Sequence, residues 1–225
     1  AGLVPDAHKG KGLGNQFLGH IRETDAILHV LRCFEDSNII HVDGKIDPVR
    51  DRETVDFELQ MKDLEIIEKK IQKIEKTLRA GDKESKEALD ISMKIKEHLG
   101  KGNNVRSFHF EKGKEKILKD TYLLTSKPVL YVCNVDEKAI LTGNKFVDSV
   151  KEMANRDGSG VVVISAAIEA EITTLDSEEE RKLFLSEMGL TEPGVNKVIR
   201  EAYKLLKLYT YFTAGEDEVR AWTIK

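Results

Sequence analysis

Cysteine and proline are scarce, two and four in 225 residues, and no apolar run approaches the roughly 18 residues that a membrane-spanning helix needs. The first residues also lack the charged-then-apolar pattern of a secretory signal. Cys33 and Cys133 each close an apolar run, HVLRC and VLYVC, that reads as a strand. Buried thiols in a reducing cytosol are therefore expected rather than a disulfide, and a cytoplasmic location with no membrane partner goes with them. Positive charge is not in excess. Lys and Arg number 36 against 40 Asp and Glu, a net charge of -4, so no overall basic field points to nucleic acid. DNA is not expected as a partner, and any RNA contact must use a local patch. Absent too is a Gly-x-x-x-x-Gly-Lys-Ser/Thr string, the loop whose amides cradle phosphates and whose hydroxyl binds Mg2+. As written, the chain is expected not to hydrolyse a nucleotide.

Both ends are abrupt. Ala1 opens in a glycine-rich turn with no strand before it, and Trp222-Thr223-Ile224-Lys225 stops inside an apparent strand, so the sequence reads as a fragment. The punctuation KGKGLGN leads into helical spacing at Phe17, Leu18 and Ile21, with Asn15 placed to cap the helix. Residues 26–34 then form a nearly continuous apolar run, the pattern of a strand covered on both faces of a parallel sheet. Further runs at 128–133 and 161–164 flank a helical stretch at about 145–155, which together read as a strand-helix-strand crossover.

Residues 51–102 differ in kind, being dense in Lys and Glu. Phe57, Leu64, Ile71 and Leu78 recur every seven residues, with Ile67 and Ile74 in the second seam position, which predicts a coiled-coil arm. Ala80-Gly81-Asp82 breaks it, and Ala88, Ile91, Ile95 and Leu99 resume on one side. An antiparallel helical hairpin inserted between two strands is the simplest geometry. Helix is expected again over 178–206, interrupted near Gly189 and at Glu192-Pro193-Gly194. From Leu208 the alternation becomes strand-like, so a new domain is expected to start there.

Three short elements carry chemistry, each placed where a strand ends, which is where open α/β sheets bind ligands. Ala1-Gly2-Leu3-Val4 resembles the end of the Asp-x-x-Gly element of P-loop GTPases, whose glycine N–H touches the γ-phosphate. The glycine-rich stretch after it suits a switch loop. Asn134-Val135-Asp136-Glu137 stands where those enzymes carry Asn-Lys-x-Asp. Val135 replaces the lysine whose stem covers the ring, and Glu137 replaces the aspartate that accepts from guanine. Adenine offers an acceptor where guanine offers a donor, so this departure argues against strict guanine choice. Ser165-Ala166-Ala167 matches the loop that gives a backbone N–H to the base.

The strings GKGLGNQFLGHIRETDAI, RCFEDSNIIHVDGKIDPVRD, NVDE, SAAIEAEI and LYTYFTAGEDEVRAWTI resemble those of the YchF/Obg-like ATPases, in order and across essentially the whole chain. The resemblance implies an α/β fold, a Ras-like P-loop NTPase with a mostly parallel sheet, into which an antiparallel coiled-coil hairpin is inserted. It divides the chain into a first nucleotide-binding part (1–50), the helical insertion (51–102), a second nucleotide-binding part (103–207) and the first strand of a TGS domain (208–225). It implies ATP preferred over GTP, Mg2+ held by residues not in this chain, and association with the ribosome in translation or stress. The nucleotide-binding residues it implies are Gly2, Asn134, Val135, Glu137, Ser165, Ala166 and Ala167. Leu3 stands where Ras-like enzymes often carry a water-orienting glutamine and cannot do that work. His41, in Asn38-Ile39-Ile40-His41-Val42-Asp43-Gly44, matches the family histidine assigned to it. His8 competes for the role, while His29 reads as core and His20, His98 and His109 as surface. Two alternatives stay open: a GTPase, and a ribosome-binding helical module for which the nucleotide only sets the shape. Lys69, Lys70, Lys73 and Lys76 give such a module a basic cluster, although interleaved glutamates also suit a plain solvated face.

Overall fold

The computed structural model describes residues 13–36, 38, 44–78 and 82–225. Contacts divide the chain into two compact units, one from the chain up to Asp25 together with Arg52–Lys127, the other from Ala26–Asp51 and Pro128–Lys225.

In the first unit, helix α1 (Leu13–Glu23) buries Leu18. Asn15 lies inside this helix rather than at its cap. The Lys127 ammonium closes the other end, donating to the carbonyls of Arg22, at 3.0 Å, and Thr24, and burial lowers its pKa. Helix α2 (Pro48–Thr77) and helix α3 (Lys83–Gly100) form a pair. Lys96 bridges to Glu68 at 2.9 Å and Gln60 reaches the Gly102 carbonyl at 3.1 Å, so rising numbers on α2 meet falling numbers on α3 and the pair is antiparallel. Asp82 caps α3 by accepting from the Ser85 N–H.

The apolar seam holds where the heptad is cleanest. Ile67 and Ile71 of α2 pack with Ile91, Ile95 and Leu99 of α3, with Leu64 partly buried against them. Phe57, predicted on the seam, is 54% exposed. The first half of α2 buries polar groups instead, Asp56, Glu58, Gln60 and Asp63, because it packs on the irregular chain after α3, whose backbone donors need acceptors. The Asp56 carboxylate takes Arg52 at 2.9 Å and Asn104 at 2.7 Å, and Asn104 in turn accepts from Gln60 at 2.8 Å. His98, expected at the surface, is half-buried here, its Nε2 2.9 Å from the Ser107 hydroxyl.

Asp63 is the most demanding of these groups. It has no exposure and accepts from the N–H of Leu124 (2.8 Å), the N–H of Thr125 (2.7 Å) and the Thr125 hydroxyl (2.7 Å). Burial pushes its carboxyl up, against the pull of those three donors.

In the second unit, β1 (Ile27–Arg32), β2 (Val129–Asn134) and β3 (Gly160–Ile164) form a parallel sheet in that order. Helix α4 (Ala139–Thr142) and helix α5 (Lys145–Asp157) make the crossover from β2 to β3. Helices α6 (Ala166–Thr174), α7 (Glu178–Glu187) and α8 (Gly194–Leu206) follow. Val147, Val150 and Ala154 of α5 pack on Val129, Tyr131 and Cys133 of β2, and α8 also packs on β2 and β3. Cys33 and Cys133 are both buried and free. Cys33 directly follows β1 and Cys133 lies in the neighbouring β2, and the Cys133 thiol with burial pushes the Cys33 thiol up.

Two expectations change in this unit. Among the described residues β1 is not covered on both faces, Leu28 and Val30 being 46% and 62% exposed. The C-terminal stretch is two strands rather than one, β4 (Tyr209–Ala214) and β5 (Val219–Ile224), paired antiparallel. Gly194, at the start of α8, allows a close approach: a Cβ there would lie 2.9 Å from both Ile164 and the Glu169 carboxylate. That carboxylate accepts from the first two N–H groups of α8, Gly194 at 2.6 Å and Val195 at 3.2 Å, a favourable charge at a helix N-terminus.

Replacing Asp63 with Ala strands two buried N–H groups and a hydroxyl, at a cost on the order of 3 kcal/mol. Urea unfolding should show that loss; a change below about 1 kcal/mol would mean that the 123–125 segment satisfies itself by other means.

Candidate functional site

Parallel pairing places the C-terminal ends of β2 and β3 beside each other, with Asn134 opposite Ile164 in register. The chain leaves both strands there. After β2 the Val135 N–H donates to the Ile164 carbonyl at 2.9 Å, extending the ladder by one bond, and the Val135 side chain turns into the core at 2% exposure. What Val135 offers a ligand is therefore its carbonyl. Asp136 turns the chain, its Oδ1 accepting from the Ala139 N–H at 2.8 Å. That commits the third motif residue to local structure and leaves Glu137 exposed beyond it.

After β3, Ser165 is buried and caps α6, its hydroxyl accepting from the Ile168 N–H. Ala166 and Ala167, expected in a loop, are the first two helical residues and are exposed. Asn134 and Ala166 meet: the Asn134 Oδ1 accepts from the Ala166 N–H at 2.9 Å. Among the described residues the Asn134 amide nitrogen and the Ala167 N–H have no protein acceptor. Two strand ends thus present a carboxamide donor, a helix-terminal N–H, a main-chain carbonyl and an exposed carboxylate within one motif pair. This set matches the alternating donors and acceptors of a purine edge.

The same corner is tied to β1. The Cys33 N–H donates to the Asn134 carbonyl at 2.8 Å, and the Cys33 carbonyl accepts from the Asn144 amide at 2.7 Å. Asn144 also caps α5 through its oxygen, accepting from Phe146 and Val147. Cys33 and Asn144 carry no motif signal; only their side-by-side placement gives them a supporting role. Gly2, Leu3, His8 and His41 lie outside the described residues. His29 stacks at a tilt on Tyr131, centroids 5.8 Å apart. Among the described residues no cluster of three or more His, Cys, Asp or Glu could hold a metal ion, and no helix is long and apolar enough to cross a membrane.

Replacing Asn134 with Ala removes the acceptor for Ala166 and should cost about 1 kcal/mol of stability in urea unfolding. Asn134→Asp, which keeps that acceptor, should recover most of the loss. Equal losses from the two variants would show that the Asn134–Ala166 bond is not what matters at this position.

No protein-family model matches the chain. Curated relatives do. The "Ribosome-binding ATPase YchF" of Bacillus subtilis is 47% identical over 227 residues, covering 100% of this chain and 62% of that protein. The protein of the same name from Haemophilus influenzae is 49% identical, covering 100% and 61%. "Obg-like ATPase 1" of Rattus norvegicus is 43% identical, covering 100% and 58%. Among solved structures, the Schizosaccharomyces pombe YchF GTPase superposes with a TM-score of 0.84 at 35% identity, over 100% of this chain and 60% of that one. The chain thus spans about three fifths of the length of the relatives it matches.

Proposed function

We propose, from the premise that this chain is homologous along its whole length to the YchF/Obg-like ATPases, that the protein it belongs to binds and hydrolyses ATP in preference to GTP and works in the cytoplasm at the ribosome. The observation that carries the nucleotide reading is the 2.9 Å bond from the Ala166 N–H to the Asn134 carboxamide, which fastens the two base-facing elements to one another. In this reading Asn134, the Val135 carbonyl, Glu137, Ser165, Ala166 and Ala167 surround the base, and Gly2 senses the terminal phosphate. Adenine gives its amino hydrogens to an acceptor such as the Val135 carbonyl, and its ring nitrogen takes the Ala167 N–H. Guanine would need a carboxylate close to two of its N–H groups, whereas Glu137 is held only by an exposed turn. Val135, its side chain in the core, cannot cover the ring as a lysine stem does.

His41 is the residue proposed to orient the attacking water, since Leu3 cannot hydrogen-bond. An imidazole near neutral pH does this without a further proton source. Mg2+ accompanying the phosphates would be held by groups outside the described residues. The helical insertion at 51–102 and the strands from 208 onward, read as the start of a TGS domain, are proposed as the parts that face the ribosome. A GTPase remains the second reading because Asn134 is retained, and the similar S. pombe protein is named a GTPase.

Calorimetry on the intact protein tests base choice, and at least tenfold tighter ATP than GTP binding is expected. The reverse order would overturn the adenine assignment. Substituting His41 with Ala should lower turnover by about 10²–10⁴-fold while leaving ATP affinity within about threefold; unchanged turnover with ribosome binding retained would remove the catalytic role and favour the helical module.

A further inference from the structure

Helices α3, α5, α6 and α7 are capped locally. The residue just before each, Asp82, Asn144, Ser165 and Ser177 in turn, accepts from the first turn with its own side chain. Helix α8 is built differently. Its N-cap is Pro193, whose side chain makes no capping hydrogen bond, and its first two N–H groups go instead to the carboxylate of Glu169, in α6. A cap borrowed from another helix also joins the two helices.

The join lies directly behind the strand ends. The Glu169 N–H donates to the Ser165 carbonyl at 3.0 Å, closing the turn that contains Ala166 and Ala167. Among the described residues, hydrogen bonds from α6 to other elements leave from two residues, Ala166 to Asn134 and Glu169 to α8. The apolar side of α6, Ile168 and Ile172, packs with Leu185. Apolar contact is non-directional, so it holds a helix down without fixing its rotation or its advance along its axis. Hydrogen bonds fix both, being confined to about 2.7–3.2 Å. Helix α8 is itself seated on β2 and β3. At Gly194 its backbone comes so near that an added Cβ would lie 2.9 Å from both Ile164 Cγ2 and Glu169 Oε1. Ile164 ends β3, and its carbonyl receives the Val135 N–H. The contacts therefore close a ring, from Ile164 through Ser165 and the first turn of α6 to Glu169, across to Gly194 and back to Ile164.

We infer that Glu169 is a positioning residue for the nucleotide base. By fastening α6 to the start of α8 it sets the place of the Ala166 and Ala167 N–H groups and, through Ala166, the orientation of the Asn134 carboxamide. This rests on the base reading proposed above. A carboxylate serving α8 alone would stabilise that helix through its N-terminal charge and leave nucleotide affinity as it was.

Calorimetry with ATP, steady-state turnover and urea unfolding of the intact protein test this. Glu169→Ala should raise the dissociation constant for ATP about tenfold while kcat at saturation stays within about twofold, the signature of lost binding rather than lost chemistry. Glu169→Gln keeps an oxygen for the Gly194 N–H at nearly the same reach, and should bind ATP within about threefold of the parent. Ser177→Ala removes the cap of α7 and should lower the urea midpoint to a comparable extent, yet leave ATP binding unchanged. Equal weakening of ATP binding by Ser177→Ala and Glu169→Ala would overturn the inference, since lost stability would then explain both. So would a Glu169→Ala protein that binds ATP as the parent does while Asn134→Ala binds it more weakly, and in that case the base reading stands. If Asn134→Ala also binds ATP as the parent does, the base reading falls and the inference falls with it.

Discussion

Parallel strands end on the same side, and the candidate base site depends on that constraint. With β2 between β1 and β3, Cys33, Asn134 and Ser165 are delivered to one edge by hydrogen-bond register, before any side chain chooses a partner. β2 is buried along nearly its whole length, so its register cannot slip without moving Tyr131 and Cys133 out of the core. The side chains then add detail: Asn134 ties β2 to α6, and Asn144 ties α5 to the end of β1. A small set of carboxamides finishes what the sheet begins.

The helical unit is held by a different kind of force. Ile67, Ile91 and Ile95 supply an apolar seam over one half of the helix pair, but the other half is organised around buried carboxylates. Asp56 and Asp63 bind the chain after α3 through side-chain and backbone donors. Such groups are costly to bury and costly to leave unpaired. Together with the buried Val105, Leu118, Leu123 and Leu124, they fix one path for a segment whose regular structure is limited to short 3-10 turns.

The contrast explains what the sequence disclosed. Apolar runs at 128–133 and 161–164 announced their strands, and lysine-glutamate density with apolar residues at helical spacing announced α2 and α3, because periodicity records burial. Phe57 misled because the heptad continues in sequence where α2 meets irregular chain instead of a second helix. At the site, Asn134 and the Ser165-Ala166-Ala167 string were legible through resemblance to known motifs. Cys33 and Asn144 were not, because each acts through a carbonyl or a cap that carries no residue signature.

The hydrogen bonds at the strand ends interlock: Cys33 donates to Asn134, Val135 to Ile164, and Ala166 back to the Asn134 side chain. None of the three can open without disturbing residues that hold another. In hydrogen exchange these amides would behave as one cooperative set, released only by an excursion large enough to part β2 from its neighbours. On the proposed reading, a base meeting this corner would find it already assembled and lose little entropy in ordering it. A rigid strand-end corner of this kind would serve as the fixed point against which any nucleotide-dependent movement of other segments is measured.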